Sequence, residues 1–423
     1  MSSCSNVIEF IHRPKYITRM KRLQAFKYEL NLIGSHVREL YRIAGSCRFV
    51  YNKALALQMA RYEQGEKKLT YAGLCKELTD WRNQPDYSWL KDSPSQALQQ
   101  SLKDLERAYQ NFFDKRADFP RRKKRGSKDA FRFPQGIKLD QDNSRIYLPK
   151  LGWVRYRNSR SIEGEIKNVT ISRSCQKWYV SIQTEREVDE VIHSATTDVG
   201  IDMGVVHLAI LSNGQFFESN NKLKHYQKKI AAHQKKTRKK KKFSRNWKKE
   251  QQKIGRLHQK MSFIRKDDLH KTSHMISKNH AMICLEDLQV KNMSKSASGT
   301  LEIPGRNVKA KSGLNRAILN QGWYELRRQL EYKQLWRGGV VVAVPPKNTS
   351  RTCPNLDCGY ISSENRVTQS LFICKRCRYE NHADVVGAMN ILRAGHAQLA
   401  CGEMVLLGRS MNQEPTKVTQ AIV

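Results

Sequence analysis

The chain has 423 residues, enough for two or three domains with hydrophobic cores of their own. Its 77 Lys and Arg residues outnumber 39 Asp and Glu residues, which gives a formal charge of +38 and a pI near 10.0. This excess excludes an ordinary metabolite as a sufficient partner and indicates a polyanion.

The polyanion is predicted to be a nucleic acid, not a membrane surface. The sequence has no apolar run of about 18 residues, no basic amphipathic helix with aromatic anchors and no secretory signal. We therefore expect a cytoplasmic, nucleoid-associated protein with no membrane partner. Six of the ten cysteines are scattered, as expected for thiols of a reducing compartment, at Cys4, Cys47, Cys75, Cys175, Cys284 and Cys401.

The N-terminal part is predicted to contain an extension, a strand and helices. Residues 1–20 lack periodicity, whereas residues 23–32 alternate as a strand does. A helical pattern begins near Val37, and residues 45–64 indicate a second, aromatic-rich helix.

The next helix has a clear start and one apolar face. Ser93 is predicted as its N-cap and Pro94 as its first residue, and the helix is predicted to end near Phe113. Residues 35–115 are thus expected to form a small helical domain. The apolar stripe recurs every three or four residues, at Leu98, Leu102, Leu105, Tyr109 and Phe112.

A basic run follows this helix. Such a run is often a solvated loop, but in a chain this cationic we predict contacts with phosphates. Its members are Arg121, Arg122, Lys123, Lys124 and Arg125.

The pattern then changes to short strands. The segments FRFP, RIYLP, WVRYR, NVTISR and WYVSIQTE are rich in β-branched and aromatic residues and alternate with period two. They predict a β-barrel that grips RNA by stacking and charge, although an ordinary barrel core explains the aromatic residues equally well.

A buried strand is predicted from Val199 to Leu211, followed by an Asn213-Gly214 hairpin turn and a second strand. Asp202 lies inside this apolar strand. Because a bare buried carboxylate is costly, Asp202 is expected to be paired or to bind a metal.

Residues 222–250 form a charge block that is predicted to stay solvated or to become ordered on nucleic acid. A long helix follows, and its apolar stripe is either core or one half of an antiparallel helix pair. The stripe consists of Ile254, Leu257, Met261 and Ile264.

A further buried strand, residues 281–285, ends at Glu286. The end of an interior strand is where active sites of open α/β sheets lie. Residues 291–312 are polar and are predicted to be a mobile loop. The segments GWYELRRQLEYKQLW and VVVAVPP then predict a helix and a strand.

Two cysteine pairs predict a zinc site. Four residues separate Cys353 from Cys358, two separate Cys374 from Cys377, and fifteen lie between the pairs. This spacing is typical of two knuckles that hold Zn²⁺ between four thiolates, and four protein ligands make the ion structural. Gly359 suits a tight turn, and the cationic residues between Cys374 and Cys377 would favour thiolates.

Asp384 begins an apolar helical pattern just after the cysteines. Alone it is most simply a partner of the helix dipole. Together with Asp202 and Glu286, however, it gives three carboxylates on a strand, a strand end and a helix start. An RNase H-like fold would bring these elements together around Mg²⁺. The tail after Gly395 has no clear pattern.

These motifs, in this order, resemble those of TnpB, the OrfB-type protein of bacterial insertion sequences, which is related to type V CRISPR effectors. The resemblance runs from about Leu23 to Gly395. It rests on CRFVYNKAL, LQQSLKDLERAYQNFF, GIDMGVVHLAI, CLEDL, the cysteine ribbon and NHADVVGAMNIL. One departure is the first knuckle, where the family usually has two residues between the cysteines.

The resemblance implies an α+β multidomain protein. The implied parts are an RNase H-like (RuvC) nuclease at 193–348 and 380–396 with an inserted zinc ribbon at 349–379. A wedge-like β-barrel would occupy 21–34 and 116–192, with a helical recognition domain at 35–115 inserted in it. Residues 397–423 would be a disordered tail.

The implied activity is RNA-guided DNA cleavage beside a short flanking motif, with a guide RNA and double-stranded target DNA as partners. Asp202, Glu286 and Asp384 would bind two Mg²⁺ ions, and the chain would be a monomer or loose dimer. The presence of all three acids disfavours the alternative function, a non-cleaving nucleic-acid-binding regulator or accessory protein of transposition. A DNA-joining transposase that needs no RNA would share the fold.

The resemblance also implies contacts with nucleic acid. The family points to Ser95, Gln96 and Gln99 at a helix start and to the loop around Gln135 for reading the flanking motif, and Gln can pair bidentately with adenine in the major groove. Solvent-facing polar residues explain them as well. Arg351 is a candidate for the scissile phosphate, and a structural salt bridge is the alternative.

Overall fold

The computed structural model describes residues 19–126, 129–220, 222–300 and 302–400 of a mixed α/β protein. Two compact units divide the chain, Met1–Glu190 and Val191–Val423. Residues 1–18 of the predicted extension and 401–423 of the predicted tail lie outside the described residues, whereas residues 19–20 begin a strand and residues 397–400 end a helix. Within those residues, no helix is both long and apolar enough to cross a membrane.

The first unit contains a seven-stranded antiparallel sheet with the order β2-β6-β7-β1-β5-β4-β3. Among the described strands, the terminal strands β2 and β3 do not pair with each other. The five predicted short strands are present, and the sequence reasoning missed β3. The strands are β1 (Arg19–Asn31), β2 (Ala130–Phe133), β3 (Lys138–Asp140), β4 (Arg145–Leu148), β5 (Gly152–Tyr156), β6 (Glu165–Ser174) and β7 (Lys177–Asp189).

Strand β1 joins the two halves of this sheet. Its first eleven residues pair with β7, and Leu30 and Asn31 pair with β5. Phe26, Tyr28 and Leu30 are buried on one face, as the alternating pattern predicts.

The helices of the first unit are α1 (Gly34–Glu63), α2 (Tyr71–Asn83) and α3 (Ser95–Phe113), with a 3-10 helix at Pro85–Asp92. The two helices predicted near Val37 and Gly45 are one continuous helix, because a single glycine is tolerated inside a long helix. These helices share one continuous hydrophobic core with the sheet.

The predicted cap of α3 is wrong by one residue. Pro94 occupies the N-cap position, and Ser93 makes no cap bond. Instead the buried Ser93 hydroxyl donates to Ser46 Oγ on α1 at 2.8 Å. The predicted end at Phe113 is confirmed. So is the apolar stripe, of which Leu98, Leu102, Leu105 and Tyr109 are buried.

The second unit contains a five-stranded sheet with the order β10-β9-β8-β11-β12. Strands β10, β9 and β8 are antiparallel, whereas β8, β11 and β12 are parallel. The strands are β8 (Asp198–Asp202), β9 (His207–Leu211), β10 (Phe216–Glu218), β11 (Met282–Glu286) and β12 (Val340–Val344).

The strand predicted from Val199 to Leu211 is two strands joined by a turn, so Asp202 ends a strand and does not lie inside one. The turn is held from outside, because Gln321 Nε2 donates to the backbone oxygen of Val205 at 2.5 Å. The predicted hairpin turn between β9 and β10 is confirmed.

The described helices of the second unit include three that the patterns did not predict, α4, α6 and α7. The charge block forms α4, which packs against α5, so the antiparallel helix pair is confirmed for α5. The predicted loop 291–312 contains the end of α6 and the start of α7. The helices are α4 (Lys222–Arg238), α5 (Arg245–Asn279), α6 (Val290–Met293), α7 (Val308–Gln321), α8 (Trp323–Arg337) and α9 (Ala383–Ala400).

Helix α9 packs directly on β8, β11 and β12. Gly200 of β8 permits this close approach, because a Cβ there would lie 2.0 Å from the backbone oxygen of Ala388. A small hairpin, β13 (Leu371–Ile373) and β14 (Glu380–His382), immediately precedes α9. Asp384 therefore follows the cysteine-bearing segment and lies in the first turn of the helix that covers the sheet.

Candidate active site and metal centre

Two of the predicted carboxylates end neighbouring parallel strands. Asp202 is the last residue of β8, and Glu286 is the last residue of β11. Leu285 is paired with Ile201, and each acid is the next residue of its strand, so both acids lie at the same edge of the sheet. Each strand has an acid at its C-terminal end, and the parallel pairing of the strands makes the two acids neighbours.

Asp384 completes the cluster from α9. Burial raises the pKa of Asp202 to about 7, with contributions from the charges of Glu286 and Asp384, while Arg366 opposes the increase. Glu286 and Asp384 therefore both lie close enough to Asp202 to act on it electrostatically. A divalent cation between them would relieve this repulsion.

Two side chains hold the other acids of the cluster. The Thr349 hydroxyl donates to Glu286 Oε1 at 2.6 Å, and Thr349 is buried. Arg366 donates to Asp384 Oδ1 at 2.7 Å and forms an ion pair with it. Each acid outside β8 thus has a partner from the segment that carries the cysteines.

The three carboxylates are not gathered as closely as the four cysteines are. Among the described residues, only the four cysteines form a set of three or more ligand atoms within 4.8 Å of one another. The three carboxylates are more widely spaced. Oxygens bound to two different Mg²⁺ ions can lie up to about 8 Å apart, since the ions are about 4 Å apart and each bond is about 2 Å.

A glycine on α9 leaves room for Asp202. A Cβ at Gly387 would lie 3.1 Å from Asp202 Oδ2, so the carboxylate packs directly against the helix backbone. One turn further, buried Asn390 donates to the backbone oxygens of Thr349 at 2.9 Å and Thr352 at 2.7 Å. Asn390 therefore anchors the segment whose hydroxyl orients Glu286.

The predicted cysteine cluster is present. Sγ atoms of Cys353 and Cys377 are 3.5 Å apart, and those of Cys358 and Cys374 are 3.7 Å apart. No disulfide involves the described cysteines. Gly359 follows the first pair with φ of +54°, as expected for a knuckle turn.

Backbone amides favour one thiolate of the cluster. Burial tends to raise the pKa of Cys374, but the N–H groups of Cys377 and Arg376 donate to it, and together with neighbouring thiols they lower that pKa to about 7. Burial raises the pKa of Cys353 to about 12. The amides, more than the cationic side chains that the sequence suggested, thus help Cys374 to ionise.

The predicted nucleic-acid contacts lie on several surfaces. Four members of the basic run are exposed, and Lys123 is half-buried. The Lys123 ammonium lies 4.1 Å from the Tyr51 ring centroid and 3.8 Å from Asp104, so its contacts are within the protein. Asn52 holds the backbone of Lys123 with two hydrogen bonds.

The candidate readers of a flanking motif are partly accessible. Ser95, Gln96 and Gln99 are half-buried on α3, and Gln135 is exposed between β2 and β3. Arg351 is exposed beside the first knuckle, and its backbone oxygen accepts from Asn365 Nδ2 at 2.9 Å.

Sequence reasoning missed three residues of the site. Arg366 contacts Asp384, while the predicted candidate was Arg351. Thr349 and Asn390 orient the segment beside Glu286. Their contacts span between 18 and 63 residues of sequence, so no local spacing marks them.

Three family profiles match the chain. The OrfB family of IS605, described as probable transposase, matches residues 181–297. The helix-turn-helix profile of the same family matches residues 20–67, which here form β1 and α1. A Cas12f1-like TNB domain matches residues 323–391, which include the cysteine cluster.

Full-length relatives are also found. "Putative RNA-guided DNA endonuclease InsQ" of Escherichia coli (strain K12) is 60% identical over 402 residues, which are 95% of this chain and 100% of the relative. A "Putative RNA-guided DNA endonuclease" of Streptomyces pristinaespiralis is 30% identical over 94% of this chain and 98% of its own length.

A solved structure is similar over a comparable length. The "Cryo-EM structure of the Cas12f1-sgRNA-target DNA complex" covers 88% of this chain and 99% of its own chain. Its identity of 16% and TM-score of 0.33 are too low to assign the fold. The two full-length sequence relatives, in contrast, confirm the resemblance: this protein belongs to the OrfB family of insertion sequences, the TnpB family.

Proposed function

We propose that this protein is an RNA-guided DNA endonuclease that hydrolyses phosphodiester bonds with Mg²⁺ at Asp202, Glu286 and Asp384. The observation that carries the proposal is the position of the acids: Asp202 and Glu286 end neighbouring parallel strands, and Asp384 in the first turn of α9 acts on Asp202 electrostatically. Acids that repel one another at a sheet edge are stabilised by divalent cations. The identity with InsQ supports RNA guidance and a DNA target.

The sheet of the second unit supports an RNase H-like, RuvC-type nuclease. Three antiparallel strands continue into two parallel ones, and the acids come from the ends of two central strands and from the helix that covers them. In this proposal the nuclease comprises residues 193–348 and 380–396. The first unit would supply the wedge-like barrel and the recognition helices.

Thr349, Asp202 and Arg366 have different roles in the proposed site. Thr349 fixes one oxygen of Glu286 and leaves the other for a ligand. Asp202 packs against the backbone of α9, and Arg366 neutralises the charge of Asp384 in the absence of a cation. When bound, two Mg²⁺ ions would activate water and stabilise the leaving 3′ oxygen of an in-line displacement.

The cysteine cluster is proposed to hold a structural Zn²⁺. Zinc–sulfur bonds of about 2.3 Å in a tetrahedron place sulfurs about 3.8 Å apart. The Sγ distances of 3.5 and 3.7 Å are close to this value. The cluster would brace residues 349–379, from which Thr349 and Arg366 reach two of the acids.

Sequence specificity is proposed to come from base pairing with a guide RNA. The protein would hold the A-form heteroduplex by its backbone and read a short flanking motif on duplex DNA. Exposed Gln135 and half-buried Gln96 and Gln99 are the proposed readers, and the exposed members of the basic run would contact phosphates.

The test is guided cleavage. RNA that copurifies with the protein is sequenced, and a plasmid with the matching target is incubated with the complex and Mg²⁺. We expect cutting by the native protein and none by Asp202→Ala, which still binds RNA. The matched control is Asp287→Asn, which removes an acid next to Glu286 that is paired with Arg327 at 2.5 Å and leaves cutting unchanged.

Two outcomes would contradict the proposal. If Asp202→Ala loses RNA binding together with cutting, Asp202 is structural. If RNase treatment before loading leaves activity on element ends intact, the protein is an RNA-independent transposase.

A further inference from the structure

A basic helical arm extends from Lys222 to Ile264. Helix α4 packs against α5, and the two share a seam of buried residues, Leu223, Ile230, Ile254 and Met261. This seam is separate from the core beneath the five-stranded sheet. The arm is about 25 Å long, since α4 has 17 residues.

The arm has an extreme charge. It contains seventeen Lys and Arg residues and one acid, Glu250. That acid is occupied inside the arm, where it accepts from His233 Nδ1 at 2.8 Å and from Lys253 at 3.2 Å. Lysines this dense repel one another, and a polyanion relieves the repulsion.

The tip of the arm presents an aromatic ring among lysines. Phe243 follows Lys239–Lys242 and has φ of +67°, a left-handed conformation that is uncommon for a bulky residue. Its side chain is 64% exposed. Ser244 then caps α5 by accepting from the backbone N–H of Trp247 at 3.2 Å.

The contacts of Phe243 do not bury it. The ring centroid lies 5.5 Å from that of Trp247 with an interplanar angle of 61°, and the Lys242 ammonium lies 5.3 Å from the Phe243 ring. The apolar contact that usually fixes a helix start pairs the residue before the N-cap with the fourth helical residue, whereas Trp247 is the third residue of α5. A strained backbone that exposes an apolar ring is more typical of a functional position.

We propose that the tip binds an unpaired nucleotide: its base stacks on Phe243, and the lysines at 239–242 contact the flanking phosphates. Stacking suits any base, and dense lysines suit the backbone on both sides of it. Guide RNA and displaced DNA share this chemistry. The inference rests on the proposed nucleic-acid binding but not on the proposed cutting.

The test uses short hairpin probes that carry one bulged 2-aminopurine, made as RNA and as DNA, beside fully paired versions. Full-length protein, washed free of bound RNA, is titrated with each probe without added divalent cation. We expect about tenfold tighter binding of the bulged probe and quenching of its fluorescence. A preference in the RNA or the DNA arm identifies the strand, and either supports the inference.

Three variants separate stacking from folding. Phe243→Leu keeps an apolar contact with Trp247 but lacks a ring, so it is expected to bind both probes equally. Phe243→Trp is expected to keep the preference. The matched control is Phe263→Ala, which removes a 54% exposed ring on α5, away from the tip, and leaves the preference unchanged.

The inference is overturned if the native protein binds bulged and paired probes equally in both arms, or if Phe243→Leu behaves like the native protein. Its failure is distinct from failure of the proposed function. If the protein does not cut but still prefers the bulged probe, only the proposed nuclease activity is refuted. If it cuts with a guide but does not prefer the bulged probe, only the role of Phe243 is refuted.

Discussion

Replacing Asp202 by Asn is expected to stabilise the metal-free protein while abolishing cutting. Burial and two neighbouring acids raise the pKa of Asp202 from 3.8 to about 7. In the folded state the carboxyl group therefore keeps its proton to a much higher pH than in the unfolded state. Its stabilising contribution is complete below the unfolded pKa and is lost as pH rises through about 7.

The magnitude follows from the difference between the two pKa values. Each pKa unit corresponds to about 1.4 kcal/mol, so a rise of about three units makes the loss at most about 4 kcal/mol. Water that reaches this half-buried site reduces that figure. The amide of Asp202→Asn cannot ionise, so above neutral pH we expect the variant to be more stable by up to this amount, and below about pH 4 the two proteins to be equal.

The assay is native-state hydrogen exchange by mass spectrometry, read on peptides that cover β8 and corrected for the intrinsic pH dependence of exchange. Opening free energies of native protein without divalent cations are expected to fall between about pH 4 and about pH 7, and those of Asp202→Asn to stay level. Added Mg²⁺ is expected to restore only the native protein.

The control variant is Asp287→Asn, which removes a neighbouring acid that pairs with Arg327. It is not expected to reproduce the pH-dependent gain in stability. If Asp202→Asn destabilises β8 equally at all pH values, the pKa of Asp202 is not raised by its neighbours, and the cation site proposed there is refuted.

Three further changes test the surroundings of the site. Thr349→Val removes the hydrogen bond to Glu286, so single-turnover cutting is expected to fall about tenfold with little change in RNA binding, whereas Thr349→Ser retains the rate. An unchanged rate in Thr349→Val would show that this hydroxyl does not orient the acid. Gly387→Ala places a methyl group 3.1 Å from Asp202 Oδ2, so cutting falls while thermal stability holds or rises by up to about 1 kcal/mol; a fully active variant would contradict this contact. Cys374→Ser is expected to lose zinc by elemental analysis and to lower the melting temperature; full zinc content would refute the ribbon.

Much of the site could be predicted because its chemistry is local. The spacing of the cysteines predicts that they cluster, and Glu286 and Asp384 each lie at the end of an element that the apolar pattern marks. Asp202 was expected inside a longer strand because GIDMGVVHLAI is almost continuously apolar. The turn that ends β8 depends on Gln321, more than a hundred residues away.

The rest depended on tertiary contacts. The helix at Lys222–Arg238 was not predicted because its many charges outweigh a short apolar stripe of Leu223, Tyr226 and Ile230, and the seam with α5 stabilises it. Arg366 was missed for the same reason, since its partner Asp384 is distant in sequence. Sequence reasoning thus finds ligands more readily than the residues that orient them.

Two of the acids are contacted by the same segment, residues 349–379, which carries the cysteine cluster. Buried Asn365 ties the two knuckles together by contacting the backbone of Arg351 and of Lys375, and the next residue, Arg366, reaches Asp384. Thr349, at the other end of the segment, reaches Glu286. Loss of the proposed zinc, or oxidation of the cysteines, would therefore displace both partners together, so that DNA cleavage would depend on the metal supply and redox state of the cell.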